Sequence, residues 1–171
     1  MIRTTLQTTI RMTGDILQRR DGKQQILPSI ALRIADHHLH ASGIIPHTID
    51  SNNDSRLYKH DWFCVSQAVD CYPVDRLVQK SMDNALSSLF VMKVGSSSIH
   101  FGNTLTMKNE LLATTIRVFC RKDTSTDMLD PFSKEERDRF LKFQQSTTSN
   151  DIVMPQLERF DTRLPSELTQ T

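Results

Sequence analysis

Apolar and polar positions along this 171-residue chain change period more than once. Between Ala85 and Asp123 three runs follow one another: ALSSLFVMKV, SSSIHFGNTLTM and ELLATTIRVFCRKD. They are rich in β-branched and aromatic residues. Val94-Gly95-Ser96 breaks the first from the second, and Lys108-Asn109 turns the second into the third. No helix fits between them, so the pattern predicts antiparallel neighbours joined by tight turns. Well upstream the period is different. Leu27, Ile30, Ala31, Ile34, Ala35 and Leu39 recur at helical spacing, which predicts one long helix from Ile26 to Ser42. Gly43 supplies its stop, and Pro28 sits in the first turn, where no intrahelical bond is lost. One helix followed by an antiparallel meander is an α+β layer fold, with the sheet laid against the helix.

The remaining segments attach to that frame. Thr4 to Arg20 reads as one strand, or as two broken at Gly14-Asp15. Asp21-Gly22 is a hairpin signal between QRR and KQQ. Pro46 to His60 is polar and reads as a loop. Trp62 to Tyr72 is a strand ended by Pro73, and Val74 to Asn84 is a link with some helical character. Ser133 caps a second helix, SKEERDRFLKFQQ, with Glu136 three residues on as the other half of a capping box. Phe132, just before the cap, is placed to staple onto the next turn. After Gln145 the chain turns Ser/Thr-rich and loses its apolar period. Residues 1–145 are therefore expected to form a single domain, and 146–171 a disordered tail docked through Val153-Met154-Pro155.

Composition narrows the function classes. A single domain of this length buries roughly two-thirds of its unfolded surface and needs no staples. Lys and Arg number 21 against 20 Asp and Glu, a net charge of +1, which argues against a nucleic-acid protein held by bulk charge. No run of about 18 apolar residues exists, so no membrane span is expected. The three cysteines, Cys64, Cys71 and Cys120, are an odd count without C-x-x-C spacing, which predicts buried free thiols in a reducing compartment. Arg3, Arg11, Arg19 and Arg20 lie among threonines with no acid before Asp15, a composition similar to a mitochondrial targeting segment. TTLQTTIRM is equally a good strand. The expected compartment is cytoplasmic, with mitochondrial as the alternative.

The run VMKVGSSSIHF…ELLATTIRVFCRKD resembles the second half of a hotdog-fold thioesterase of the hydroxybenzoyl-CoA or PaaI-like type. Such proteins show a strand ending in a V-G-x-S-S-like turn, then a strand ending in A-T-x-x-x-V-F and a basic–acidic turn. The likeness covers about Ile26 to Lys142. It implies a hotdog fold, an antiparallel sheet wrapped around a long central helix. It also implies hydrolysis of an acyl-CoA thioester in lipid metabolism, no cofactor beyond the coenzyme A of the substrate, and a homodimer or dimer of dimers. PaaI-like members carry His-Gly-Gly at the helix start and an acid within the next turns. LPSIALRIAD falls in that register and places Asp36 at the acidic position. Leu27, Pro28 and Ser29 replace the His-Gly-Gly whose amides would form an oxyanion hole, and Pro28 has no amide hydrogen to give. The second family pattern, an acid in a D-x-x-x-G-H-like run before the helix, is matched only by Asp21-Gly22, with Lys23 close to where histidine is usual.

The candidate catalytic residues are thus Asp36 and, second, Asp21. A carboxylate beside a thioester acts as nucleophile or as general base on water. The bland reading of Asp36 is an exposed helix acid paired with Arg33. Lys93, Gly95, Ser96, Ser97 and Ser98 form a turn whose amides, hydroxyls and lysine suit the phosphates of coenzyme A. An acyl channel is expected along Leu32, Leu39, Phe90, Met92 and Phe101. Gln24 and Gln25 are read as solvated turn residues. Arg117, Arg121 and Lys122 are read as the solvated charges of a strand end. His37, His38, His40 and His47 cluster, yet only His37 and His40 share a helix face and no third ligand is nominated, so they are read as surface and loop histidines and no metal is expected. Two other functions fit the same residues. One is a catalytically inactive hotdog protein that binds an acyl group or a protein partner. The other is a hotdog dehydratase or hydratase, which wants an opposed Asp/His pair where Asp36 and His37 are merely adjacent.

Overall fold

In the computed structural model the described residues are 6–12, 16–45, 60–75, 84–144 and 152–157. Among these described residues seven strands and two helices follow in chain order: β1 (Leu6–Arg11), β2 (Leu17–Arg20), β3 (Lys23–Ile26), α1 (Pro28–Ser42), β4 (His60–Cys71), β5 (Asn84–Val94), β6 (Ser98–Met107), β7 (Glu110–Asp123) and α2 (Lys134–Leu141). The meander read from the sequence is present as β5–β6–β7. Its β6–β7 link is a two-residue turn with Lys108 at φ 50° and Asn109 at φ 62°, the pair of positive values that matches the right-handed twist of the strands. Asp21 (φ 51°) and Gly22 (φ 76°) make the same kind of turn between β2 and β3.

Five strands form one antiparallel sheet in the order β1-β5-β6-β7-β4, and β2 and β3 form a separate hairpin. The segment read as one strand or two is therefore two, and they belong to different sheets. Tertiary pairing decided this: β1 adds to the β5 edge, with Leu6 opposite Leu89 and Ile10 opposite Ala85. β4 adds to the other edge through β7, with a bulge between Cys64 and Ser66. Helix α1 begins two residues later than the periodicity implied, because Ile26 ends β3. Leu27 is the N-cap without a side-chain cap bond, and Gly43 closes the helix at φ 70° with its N–H on the His40 carbonyl. The links 13–15 (with the Gly14-Asp15 break), 46–59 and 76–83, the first residues 1–5 and the tail outside 152–157 lie outside the described residues.

Alternation assigns the faces of the sheet. Ala85, Ser87, Leu89 and Val91 of β5, Ile99, Phe101, Asn103 and Leu105 of β6, and Ala113, Thr115 and Phe119 of β7 are buried on the side that α1 covers. Ala31 and Ala35 of α1 are buried with them, together with Leu39 and His38. Small residues at those positions let the helix lie close to the strands. The apolar contacts divide in two. Ile26, Ala31, Leu105, Met107 and Leu112 gather with Met12 and Leu17 under the start of α1. Leu39, Val91, Ile99, Phe101, Phe119 and Phe140 gather under its end. Polar residues occupy the ground between the two clusters.

Helix α2 is held by the capping box read from the sequence, with Ser133 and Glu136 bonded reciprocally. Phe132 is buried; it stacks on Trp62 at 5.6 Å and meets Phe140 edge-on at 5.3 Å. Arg121, read as a solvated strand-end charge, is instead buried to 3 % exposure. It points to the covered face of β7 and donates to Glu136 Oε1 at 2.5 Å and to the Pro131 carbonyl at 2.9 Å, with Asp130 Oδ2 at 3.1 Å. Its guanidinium lies 4.9 Å from the Phe132 ring centroid. The cysteines are free, but Cys64 is exposed beside the edge-strand bulge rather than buried. Residues 152–157 run against the rest of the chain: Pro155 is buried and the Tyr72 hydroxyl donates to the Val153 carbonyl at 3.3 Å.

The face of the sheet away from α1 carries one close fit that constrains sequence. Phe90 of β5 is opposite Gly102 of β6, and a Cβ at position 102 would stand 2.4 Å from Phe90 Cε2. Phe90 is 3 % exposed, and its ring lies against that glycine. Gly102→Ala is expected to expel the ring and destabilise by about 1–3 kcal/mol in chemical denaturation. In a Phe90→Leu background the same substitution should cost clearly less, which a double-mutant cycle will read.

Candidate active site

The polar ground between the two apolar clusters is where the candidate chemistry collects. Asp36 lies one turn after Leu32 on α1, at the rim of the helix face that meets the sheet. Its carboxylate forms an ion pair with Arg117 of β7 and lies 3.4 Å from His40 Nε2, one turn further along the helix. The partner is therefore not Arg33. Arg117 occupies the covered face because it shares the alternation of Thr115 and Phe119, and its guanidinium sits 4.9 Å from the Phe119 ring centroid. The Arg117 side chain is 12 % exposed and that of Asp36 45 %. The pair thus runs from the helix–sheet interior to an accessible carboxylate. Reading Arg117 as a solvated strand-end charge is corrected by this placement.

A second polar group lies deeper. His38, read as a surface histidine, is 4 % exposed and faces β5 and β6, while Ser87 is fully buried and Asn103 is 3 % exposed. His38 Nδ1 is 2.8 Å from Ser87 Oγ, and the Asn103 amide nitrogen donates to Ser87 Oγ at 2.8 Å and to His38 Nδ1 at 3.4 Å. The Asn103 amide nitrogen can only donate, which assigns Nδ1 the acceptor role and the ring proton to Nε2. Burial, then the neighbouring His37 charge, lowers the His38 pKa below its ordinary value. Helical periodicity contains the signal for this histidine. Position 38 follows Ala31 by seven residues and Ala35 by three, on the buried stripe. Ser87 and Asn103 carry no such signal, because each interrupts an apolar alternation that only the folded sheet aligns.

The other candidates are placed differently. Asp21 is exposed at the β2–β3 hairpin tip, and its carboxylate enters no ion pair among the described residues. Gln25 donates to the Cys71 carbonyl at 2.9 Å and so ties the hairpin to β4 rather than standing in solvent. In the β5–β6 turn, Lys93 and Ser96 are exposed and Ser97 is buried. The Gly95 N–H donates to the Ser98 carbonyl, the Phe132 N–H to the Ser96 carbonyl and the Arg121 N–H to the Ser97 carbonyl, at 2.7, 2.7 and 3.0 Å. The turn is pinned to the lead-in of α2, with Lys93 and Ser96 its exposed polar residues.

The expected acyl channel is divided by the sheet. Leu39 and Phe101 meet on the covered face. Phe90 and Met92 lie on the opposite face, beside Gly102. Leu32 is half-buried on the helix. The five residues line no single passage, because residues of opposite parity on a strand point to opposite faces. Among the described residues no three His, Cys, Asp or Glu side chains converge as metal ligands. No helix among them is long and apolar enough to cross a membrane.

Comparison with known proteins was made on sequence and on structure. No sequence-family model matches the chain, and no characterised protein matches it in sequence. Solved structures do match. A Staphylococcus aureus protein solved in complex with CoA superposes with a TM-score of 0.63 at 14 % identity, over 91 % of this chain and 98 % of that one. A predicted thioesterase from Bacillus stearothermophilus gives 0.61 at 10 % identity, over 83 % and 98 %. A 1,4-dihydroxy-2-naphthoyl-CoA thioesterase from Synechocystis gives 0.57 at 10 % identity, over 81 % and 96 %. The fold is the hotdog fold that the resemblance implied, and the neighbours that share it include a predicted thioesterase and a 1,4-dihydroxy-2-naphthoyl-CoA thioesterase.

The His38 cluster makes stability depend on pH in a stated direction. Folded His38 takes up a proton less readily than the free imidazole, so the unfolded chain gains the proton first as pH falls. The cluster's contribution is intact above about pH 6.5 and is lost progressively as pH falls below it, with a slope of at most about 1.4 kcal/mol per pH unit for one proton. His100 is lowered in the same sense by burial and by Lys93. The comparison is therefore between wild type and His38→Asn, which keeps an acceptor but cannot titrate. Melting temperature between pH 7.5 and 5.5 should fall more steeply in the wild type. Equal slopes would show that His38 does not remain neutral in the fold.

Proposed function

We propose that this chain hydrolyses an acyl-CoA thioester at the seam between α1 and β7, with Asp36 as the catalytic carboxylate. The observation that carries the proposal is the placement of Asp36. It is half-exposed at the rim of the helix that crosses the sheet, and Arg117 and His40 orient it. The carboxylate acts as general base on a water, or directly as nucleophile on the thioester carbonyl. Support also comes from the shared fold and from the CoA bound by the Staphylococcus aureus neighbour. The Lys93–Ser98 turn is the proposed seat of the CoA phosphates, through the Lys93 ammonium and the Ser96 hydroxyl. Leu39 and Phe101 are the proposed acyl contacts on the covered face.

Assembly belongs to the same proposal. β1 and β4 are the two edges of the sheet. β4 is the longer, at 12 residues, and exposes Phe63 and Val65. An open edge of that length is normally covered, and a second copy of the chain covers it by continuing the sheet. Light scattering at micromolar concentration is expected to report at least a dimer, and a monomer would remove this part.

A second reading rests on a specific observation. α1 starts with Leu27 as N-cap, no side-chain cap bond, and Pro28 at its first position. The start of the helix therefore lacks one of the amides that would otherwise face a developing oxyanion. This favours a binding protein without turnover. The two readings separate on a panel of short, medium and aryl acyl-CoAs followed by thiol release. The expected result is hydrolysis by the wild type and a loss of about a hundredfold or more in Asp36→Asn, with the melting temperature nearly unchanged. Tight binding of an acyl-CoA without thiol release would leave the binding reading. Full activity in Asp36→Asn would remove Asp36 from the site.

A further inference from the structure

The missing helix-start donors raise the question of what holds the negative charge that develops on the thioester carbonyl oxygen. Strand β7 carries the answer next to Asp36. Three side-chain atoms on its covered face are buried and have no hydrogen-bond partner among the described residues: Arg121 Nε and, at successive positions of that face, Thr115 Oγ1 and Arg117 Nε. Thr115 is 2 % exposed. Thr115 and Arg117 are alternate residues of one strand, so they point to the same side, about 7 Å apart along it. Buried polar atoms are nearly always satisfied in folded proteins, so each of these orphans calls for a partner.

The neighbouring Arg121 shows the contrast. It too leaves Nε unpaired, but Glu136, Asp130 and the Pro131 carbonyl occupy its terminal nitrogens. Its role is complete within the fold. Among the described residues Arg117 gives only Nη1, to Asp36. One side of its guanidinium is thus fixed by the proposed catalytic carboxylate, and the rest retains donor capacity. Thr115 and Arg117 also stand in the polar ground between the apolar clusters. A ligand with a polar carbonyl and an apolar chain has the matching order of groups.

We propose that Arg117 and Thr115 are the donors for the thioester carbonyl oxygen and replace the absent amides of the helix start. This rests on the thioesterase reading above and adds residues to it. Water adds to the carbonyl carbon while Asp36 takes its proton; the C–O bond forms and the carbonyl π pair moves to oxygen. That oxyanion is held by the Arg117 guanidinium and the Thr115 hydroxyl. On collapse the carbonyl re-forms and the C–S bond breaks. The coenzyme A thiolate leaves and takes the proton back from Asp36, and the carboxylic acid product loses its own proton to solvent. A cationic donor preset beside the reacting carbonyl acts on charge present only in the transition state, so its removal should lower kcat and leave KM largely alone.

The test uses the full chain and an acyl-CoA that the wild type hydrolyses. Arg117→Ala is expected to lose about a hundredfold or more in kcat, the range for one oxyanion donor. Thr115→Val, which keeps shape and removes only the hydroxyl, is expected to lose about tenfold or more on the same ground. Guanidinium added to Arg117→Ala should restore part of kcat, whereas ammonium at equal concentration should not, because only the planar cation fills the vacated fork. Unchanged kcat in either variant would overturn the proposal. So would a loss in Arg117→Ala that tracks its melting temperature and is not rescued, since Arg117 would then only brace α1. A wild type inactive on every acyl-CoA overturns the thioesterase reading and this inference together. Failure in the variants alone overturns only this inference.

Discussion

The hydrogen bonds joining His38 to Ser87 and Asn103 are the constraint on which the site depends. Apolar packing between a helix and a sheet is not directional, and a helix can slide or roll on it at little cost. A buried imidazole with one acceptor aimed at a serine, and an amide reaching both, permits far fewer arrangements. These contacts set the roll of α1 against β5 and β6. Two residues earlier on the helix, that roll brings Asp36 over β7 and Arg117. The neutral state of His38 is part of the device, because a protonated Nδ1 would no longer accept.

A second polar centre works in a different place. Arg121 is buried between aromatic rings and tied to Glu136, Asp130 and the Pro131 carbonyl. The lead-in of α2 is thereby fastened to β7, and through the Phe132 and Arg121 amides the β5–β6 turn is fastened as well. Removing one partner of such a buried group leaves an uncompensated charge, at a cost of about 3–5 kcal/mol. The turn proposed to hold CoA phosphates is thus part of a rigid corner. Two arginines four residues apart on one strand face divide the labour: Arg121 is consumed by the fold, and Arg117 keeps donors in hand.

The order of groups beneath α1 is consistent with thioester chemistry. Apolar clusters lie at either end of the helix and the polar side chains lie between them. Asp36 and Arg117 together offer an acceptor and a donor within one ion pair, and Thr115 adds a hydroxyl from the same strand. The Leu27-Pro28-Ser29 start of α1 weakens a helix-terminal oxyanion hole, and Arg117 is the cationic donor proposed, from the sheet side, to make up what the helix lacks.

Local pattern alone determined a good deal. The meander from Ala85 to Asp123, its Lys108-Asn109 turn, the helix ending at Gly43 and the Ser133–Glu136 capping box each depend on neighbours a few residues away, and each was legible. So was the placing of Asp36 at the rim of an apolar stripe. What the sequence could not settle depends on contacts between distant segments. Leu6–Arg11 and Leu17–Arg20 look alike as strands, but only pairing with β5 separates them into two sheets. Arg117 and Arg121 look like strand-end charges until parity in the folded sheet turns both under the helices. Phe90 and Phe101 look like lining of one channel until the sheet stands between them. His38 lies on the buried stripe, but its meaning required Ser87 and Asn103, which are 49 and 65 residues away. Short-range periodicity reports which face of an element is apolar. Which polar groups meet across the interior is decided by register and strand order, and those exist only in the assembled sheet.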